Sequence, residues 1–223
     1  MAEKMMSRRE AAKADRRRRI VQAARDLIKE TGQTGLSMRA IAARADVSLA
    51  TPYNLFGSKR AIIMALLDDV QEFEERFNEI ADADPIDKIF AALKLSLGYH
   101  EKDPDFYRVV WSTLLDPQGS AEQRDELMPP QNHAFWRGLL EESKARDLLD
   151  ERINLECLQH ELGHTFAAVM LTWLMGGRET SDLMPSICYG FALSLLGAST
   201  EAARPSLMVK LLEFQNQKQT LET

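Results

Sequence analysis

The sequence predicts an all-α protein of nine or ten helices. Apolar residues recur at three- and four-residue spacing along most of the chain, as they do on the buried side of a helix. Prolines and glycines divide this pattern into helix-length segments. No segment alternates apolar and polar residues in the manner of a half-buried strand. We therefore expect helices throughout.

Four helices are predicted in the first third of the chain. An apolar stripe from Ile20 to Ile28 marks the first helix, and Gly32 is placed to end it. Ser37 and Ser48 are placed to cap two short helices, and Ser58 to cap a longer one. The short pair predicts a helix-turn-helix.

Prolines mark the helix starts in the rest of the chain. An aspartate precedes three of these prolines, which is the arrangement of a capping residue before a proline at the first helical position. The predicted starts lie at or near Pro85, Pro104, Pro117, Pro130, Pro185 and Pro205.

Charge is distributed very unevenly along the chain. The whole sequence has 28 basic and 34 acidic residues and a net charge of −6, which taken alone disfavours a polyanionic partner. Residues 1–60, however, contain fourteen basic and six acidic residues, a charge of +8, and residues 61–223 carry −14. The basic segment is the part that predicts a nucleic-acid partner.

Composition excludes several other classes of protein. An apolar content of 45% with 11 glycines and 8 prolines excludes collagen-like and wholly disordered chains. The longest apolar run has eleven residues, Thr165 to Met175, so we expect no membrane span. The N-terminus does not resemble a secretory signal. Cys157 and Cys188 lack metal-ligand spacing, and we expect two buried thiols in a cytoplasmic protein.

A family resemblance rests on the helix-turn-helix. Residues 36–48, LSMRAIAARADVS, and 51–59, TPYNLFGSK, resemble the DNA-binding domain of TetR-type repressors, and the resemblance covers about residues 15–70. It departs from the family at Asp46, where the turn usually has glycine, and at Pro52, where an aliphatic residue is usual. Aspartate tolerates the left-handed conformation, so the turn should form. Pro52 should make the second helix start irregularly.

The resemblance implies three segments and a function. These are a basic arm at 1–15, a DNA-binding domain at 16–60, and a helical domain at 61–223 that binds an effector and dimerises. The implied protein is a homodimeric repressor that binds a palindromic operator in double-stranded DNA and is released by a small, mostly apolar effector. An effector-free architectural DNA-binding protein is the alternative within the same class.

The resemblance also implies a set of DNA contacts. Lys59 would reach a phosphate, and Arg39 a phosphate or a base edge. The side chains nearest the bases would be Leu49, Ala50 and Asn54, and Asn54 could read adenine. The run Arg16 to Arg19 is either a basic arm on DNA or a solvated helix start. The full predicted set is Arg17, Arg18, Ser37, Arg39, Ser48, Leu49, Ala50, Thr51, Tyr53, Asn54 and Lys59.

Two further sets are predicted in the second domain. Aromatic and apolar residues on different helices are candidates for an effector pocket. They are Phe106, Tyr107, Trp111, His133, Phe135, Trp136, Phe166 and Met170. Small residues on two apolar helices are candidates for a dimer interface of four helices. They are Gly163, Ala167, Leu174, Gly190, Ser194 and Gly197.

Residues 160–164, HELGH, match the zinc-metalloprotease pattern, in which two histidines bind zinc and the glutamate is the general base. A zinc hydrolase is therefore an alternative from another class of protein. The match has three fixed positions and no recognisable third ligand downstream. We expect no catalytic residues, no metal and no cofactor, with His160 and His164 as polar groups of the pocket or the interface.

Overall fold

The computed structural model describes residues 8–32, 35–68, 77, 83–115 and 130–221. These residues contain ten α-helices, one 3-10 helix and no strand, which confirms the predicted all-α fold. The helices are α1 (Arg8–Thr31), α2 (Met38–Arg44), α3 (Ala50–Phe56), α4 (Lys59–Asp68), α5 (Pro85–Lys102), α6 (Pro104–Leu114), α7 (Pro130–Ala145), α8 (Leu155–Leu174), α9 (Leu183–Ala198) and α10 (Arg204–Leu221), with the 3-10 helix at Thr180–Asp182. The predicted helix start at Pro117 lies outside the described residues.

The chain forms two compact units. Unit 1 comprises residues 1–69 and 105–116, and unit 2 comprises residues 70–104 and 117–223. Helix α6 thus belongs with the N-terminal helices, although it is distant from them in sequence. The core of unit 1 joins α1, α2 and α4 through Ile20, Ile41, Ile62 and Ile63, all of which are fully buried.

Helices begin and end largely at the capping residues that the sequence predicts. Ser37 accepts the Ala40 amide at the start of α2, and Asp84 accepts the Ile86 amide at the start of α5. Gly32 has a φ of 61°, the left-handed conformation that a glycine adopts after a helix. These groups satisfy amides and carbonyls that helix ends leave unpaired.

Unit 2 is built around α8 and α9, whose buried residues form much of its core. The core residues of α8 include Met170 and Trp173, which have no exposed surface, and Leu195 of α9 is equally buried. The two helices pack closely where Gly190 faces Thr165, since a β-carbon at residue 190 would lie 2.4 Å from the Thr165 methyl group. Phe90 of α5 stacks on Phe214 of α10 with ring centroids 5.6 Å apart.

Three ionisable or thiol groups are buried in unit 2. The Lys88 ammonium, 9% exposed, donates to both oxygens of Glu142 at 2.9 and 3.1 Å. Burial lowers the pKa of His100 to about 4, against a smaller opposing effect of its bond to the Ser96 carbonyl. Burial also raises the pKa of Cys188 to about 12. Cys157 is exposed, so the expectation of two buried thiols is wrong for that residue.

Candidate nucleic-acid interface

Helices α2 and α3 are joined by the tight turn that the sequence predicts. Asp46 adopts a φ of 52°, and its left-handed conformation lets the Val47 amide bond the Ala42 carbonyl at 3.0 Å. Aspartate therefore replaces the usual glycine without loss of the turn.

The first turn of α3 differs from the predicted cap. The cap residue is Leu49, and no side chain bonds the amides of this turn, so the expectation that Ser48 caps α3 is wrong. The Ser48 hydroxyl instead lies 2.9 Å from the Thr51 hydroxyl. The Thr51 amide bonds the Ser48 carbonyl three residues earlier, which tightens the turn. Pro52 is buried in the first turn, where its missing N–H has no intrahelical partner to lose.

One side of α3 is exposed and is mainly uncharged. Leu49 and Tyr53, four residues apart, are 44% and 51% exposed. Ala50 and Asn54, also four residues apart, are exposed beside them. Because residues four apart share one side of a helix, these four side chains form one surface. We define this set as the α3 face.

The predicted phosphate-contacting residues flank the α3 face in sequence. Arg39 is exposed on α2, and Lys59, half-buried, is the first residue of α4. The Ser58 hydroxyl accepts the Ala61 amide, which fixes the start of that helix. Ser37 is exposed, with its hydroxyl used in the cap of α2.

The arginine run lies within α1, which also includes residues 8–15 of the expected basic arm. Arg17 donates to the Leu55 carbonyl at 2.6 Å, and its guanidinium lies 4.2 Å from the centre of the Phe56 ring. Arg19 donates to the Ala45 carbonyl at 3.0 Å. Cations favour carbonyls at helix C-termini, so these arginines fasten α3 and α2 to α1. The sequence pattern did not indicate this role, since it depends on contacts between helices.

Arg18 differs from the two arginines that flank it. Its side chain is 80% exposed and pairs with Asp15 of the same helix at 2.6 Å. It therefore remains available to a ligand, as the predicted DNA contact requires.

The predicted effector residues fall in both units. Phe106, Tyr107 and Trp111 lie on α6 in unit 1, where the Arg25 guanidinium is 5.6 Å from the Phe106 ring centre. The others lie in unit 2, and part of them forms an aromatic cluster. Phe135 contacts Phe77 and Trp136, and Trp136 contacts Phe191, at centroid distances of 4.8, 5.4 and 6.3 Å. Phe166 and Met170 are buried on α8, and His133 lies 3.2 Å from the Gln159 amide nitrogen.

The predicted dimer residues separate into internal and exposed positions. Gly190 packs against Thr165 within the chain, and Ser194 donates to the Gly190 carbonyl. Gly163 and Gly197 are exposed. Ala167 and Leu174 are half-buried on α8.

The histidines of the HELGH segment are exposed on α8. His164 Nδ1 lies 3.6 Å from Glu161 Oε1, and both side chains are 70% exposed. In the part of the chain that the structure describes, no three histidine, cysteine or acidic side chains are grouped as metal ligands. The arrangement lacks the third protein ligand of a catalytic zinc site.

Comparison with known proteins bears on the helix-turn-helix. Residues 20–66 match the family described as bacterial regulatory proteins, tetR family. Residues 20–66 are therefore a TetR-family DNA-binding segment. The match includes α2, the turn and α3, together with the buried part of α1. It favours a transcriptional regulator over a zinc hydrolase.

Several known proteins are similar to this chain over most of its length. It is 25% identical over 174 residues to the HTH-type transcriptional repressor KstR of Rhodococcus jostii (strain RHA1), covering 77% of this chain and 79% of that protein. Two solved structures share the fold. FadR of Thermus thermophilus, in complex with lauroyl-CoA, has a TM-score of 0.66 at 20% identity, with 81% of this chain and 94% of that one covered. FadR of Bacillus subtilis, in complex with stearoyl-CoA, has a TM-score of 0.57 at 22% identity, with 81% and 98% covered.

Among the described helices, none has the length and apolar character needed to cross a membrane.

Proposed function

We propose that the chain is a cytoplasmic, homodimeric repressor that binds a palindromic operator through the α3 face and is released by a mostly apolar effector. The observation that carries the proposal is the exposed α3 face. Arg17 of the basic helix α1 holds α3 at Leu55, and Arg19 holds the preceding α2 at Ala45. Such a face suits the edges of bases in a major groove, while basic residues around it suit phosphates.

The dimer is supported by where exposed apolar side chains lie. Eight large hydrophobic residues of the described chain are notably exposed, and two of them, Leu49 and Tyr53, belong to the α3 face. The other six lie on the last three helices, α8 to α10, or directly after α8. Exposed apolar residues concentrated in this way favour association with another protein surface. They are Leu171, Met175, Leu193, Met208, Val209 and Leu212.

We assign to α6 the coupling between effector binding and DNA binding. Arg60 of α4 donates to the Leu114 carbonyl at the end of α6, and Arg25 of α1 lies over Phe106 near its start. Helix α6 is therefore fastened at both ends to the DNA-binding helices. An effector that displaces α6 would move them, and a coupling of about 1–3 kcal/mol would weaken operator binding roughly 5- to 150-fold.

Acyl-CoA thioesters are the effector class to test first. Two proteins of the same fold are described in complex with them. The aromatic cluster of Phe135, Trp136 and Phe191 offers the apolar surface that an acyl chain requires. Lauroyl-CoA should release the operator in a mobility-shift assay, whereas coenzyme A without the acyl chain should not. Equal responses to both compounds would contradict an acyl-binding pocket.

Selection of bound duplexes from a random pool tests the proposed function. We expect a palindrome with half-sites about one helical turn or slightly more apart. Weak binding without sequence preference would instead indicate the architectural alternative. Retention of no duplex at low salt would overturn DNA binding itself.

Lys59→Ala should weaken binding to all duplexes alike, because a phosphate contact holds no sequence information. The number of counterions released on binding, measured as the slope of log affinity against log salt concentration, should fall by about one. Lys29→Ala is the matched control, since Lys29 is an exposed lysine of the same unit in the last turn of α1. Fluorescence anisotropy at several salt concentrations measures both. Equal losses in the two variants would show that total charge, rather than a contact at α4, determines the affinity.

Asn54→Ala should alter the preference at one base position, with a cost of about 1–3 kcal/mol at the preferred base. Repeating the duplex selection with this variant measures the change. An unchanged preference at every position would remove Asn54 from the base-reading residues.

A further inference from the structure

One side of α8 is exposed and has four side chains of metal-binding type in its first half. Cys157, His160, Glu161 and His164 are all exposed. They are separated by three or four residues, with Glu161 adjacent to His160, so they lie along one side of the helix. The opposite side packs into unit 2 through residues such as Leu158, Leu162 and Phe166. Neither DNA binding nor the proposed effector uses the exposed stripe.

His160 and His164 have the spacing of a two-histidine metal site. Four residues along a helix correspond to a rise of about 6 Å and a rotation of about 40°, so the two rings lie side by side. Zinc proteins use this i, i+4 pair because both imidazoles can reach one ion.

Glu161 is near enough to orient one of these ligands once a metal holds the ring. Its Oε1 lies 3.6 Å from Nδ1 of His164, just beyond hydrogen-bond distance, and a small rotation of either exposed side chain closes the gap. A carboxylate beside one ring nitrogen fixes the imidazole and leaves the other nitrogen, here Nε2, to bind a metal. Glu161 is thus a positioning residue and not a ligand.

A single chain supplies only half of such a site. In the described residues no third ligand is grouped with the two histidines. Zinc in a structural site takes four protein ligands in a tetrahedron, so two positions would remain open. Cys157 lies seven residues from His164, which is a rise of about 10 Å, too far for one ion to be shared by both.

A second copy of the chain is the source of the missing ligands. The stripe continues toward the C-terminal end of α8 as apolar surface, with Leu171 47% and Met175 78% exposed. Residues 160, 164, 171 and 175 all fall within about 60° of one another around the helix. A copy that covers the apolar half therefore covers the neighbourhood of the histidines as well.

We propose that His160 and His164 of two copies bind one zinc ion across the dimer interface. The inference rests on the homodimer proposed above. Four imidazoles complete the tetrahedron without Cys157, and the ion strengthens the dimer by binding only the associated form. Operator binding at low protein concentration would then depend on zinc through the dimer.

Equilibrium dialysis of the full-length protein against zinc chloride, with a non-thiol reductant, tests the site. We expect one zinc per two chains and a dimer dissociation constant lowered about tenfold or more by the ion. The His160→Ala/His164→Ala variant should lose this zinc and remain a folded protein, since both side chains are exposed. Glu161→Gln should weaken zinc binding about tenfold, as the loss of an orienting carboxylate does. Cys157→Ser is the matched control on the same stripe and should bind zinc normally.

The oligomeric state in EDTA separates this inference from the proposed function. A dimer in both EDTA and zinc that binds no zinc would overturn the metal site alone. A monomer under both conditions would overturn the homodimer and the metal site together. One zinc per chain, zinc retained by the double histidine variant, or zinc lost in Cys157→Ser would each overturn the four-histidine site.

Discussion

Ala50→Glu should abolish specific operator binding and leave the fold intact. Ala50 is exposed at the first position of α3, within the α3 face. A carboxylate there would face the phosphates of the groove, and apposed like charges cost several kcal/mol, which corresponds to a loss of at least about 100-fold. Glutamate is favourable in the first turn of a helix, so stability should change by less than about 0.5 kcal/mol. Anisotropy with the selected duplex and urea unfolding measure the two quantities.

Ala202→Glu is the matched control for this substitution. Ala202 is also exposed, but it lies in unit 2, in the turn before α10. The same added charge at that position should lower affinity less than about twofold, because the proposed DNA contacts all lie in unit 1 and salt screens charges that make no contact. Tight binding by Ala50→Glu would show that the DNA does not contact the start of α3.

Glu142→Ala should destabilise unit 2 by about 2–3 kcal/mol. The substitution leaves the Lys88 ammonium, which is 9% exposed, without its carboxylate. A buried charge that loses its partner is costly, because water cannot replace the lost interaction. Glu141→Ala is the control, since Glu141 pairs with Arg137 on the surface, where such a pair contributes about 0–1 kcal/mol. Urea unfolding of both variants measures the difference, and equal losses would contradict a special role for Lys88.

The same pair predicts a dependence on pH. The hydrogen bond from Lys88 is the largest cause that lowers the pKa of Glu142 below its ordinary value of 4.5. A carboxylate with a lowered pKa in the folded state stabilises the fold at neutral pH, and this contribution is lost as the pH falls below 4.5 through the lowered pKa. Glu142→Ala lacks this contribution, so wild type and variant should converge in stability toward acid. A stability difference that stays constant down to pH 2.5 would contradict the assignment.

The sequence was sufficient to predict a local conformation where a single residue determines it. Ser37 and Asp84 cap their helices as predicted, and Asp46 forms the left-handed turn. Each of these outcomes depends on side-chain reach and backbone sterics within three or four residues. The predicted cap by Ser48 failed because α3 begins at Ala50, which makes Leu49 the cap residue, and the Ser48 hydroxyl instead lies 2.9 Å from the Thr51 hydroxyl.

The sequence was insufficient to predict the role of a side chain where that role depends on contact with another helix. The apolar stripe of α1 begins only at Ile20, so the sequence does not indicate that the helix already starts at Arg8. The contacts of Arg17 and Arg19 with α3 and α2 arise only in the folded unit. Small residues at helical spacing also do not distinguish packing within a chain from packing between chains. Gly190 shows the first kind of packing, while Gly163 is exposed.

The attachment of α3 through the Leu55 carbonyl and the Phe56 ring has a consequence for how this protein can acquire new operators. Arg17 holds the helix at these two residues, whereas Leu49 and Ala50 at its start, and Asn54 on the same face, are exposed. Substitutions at those three positions therefore leave the anchoring contacts intact. A library randomised there should retain folded proteins in most members while sampling many base preferences, so that binding specificity can diverge after gene duplication without a compensating change in the core.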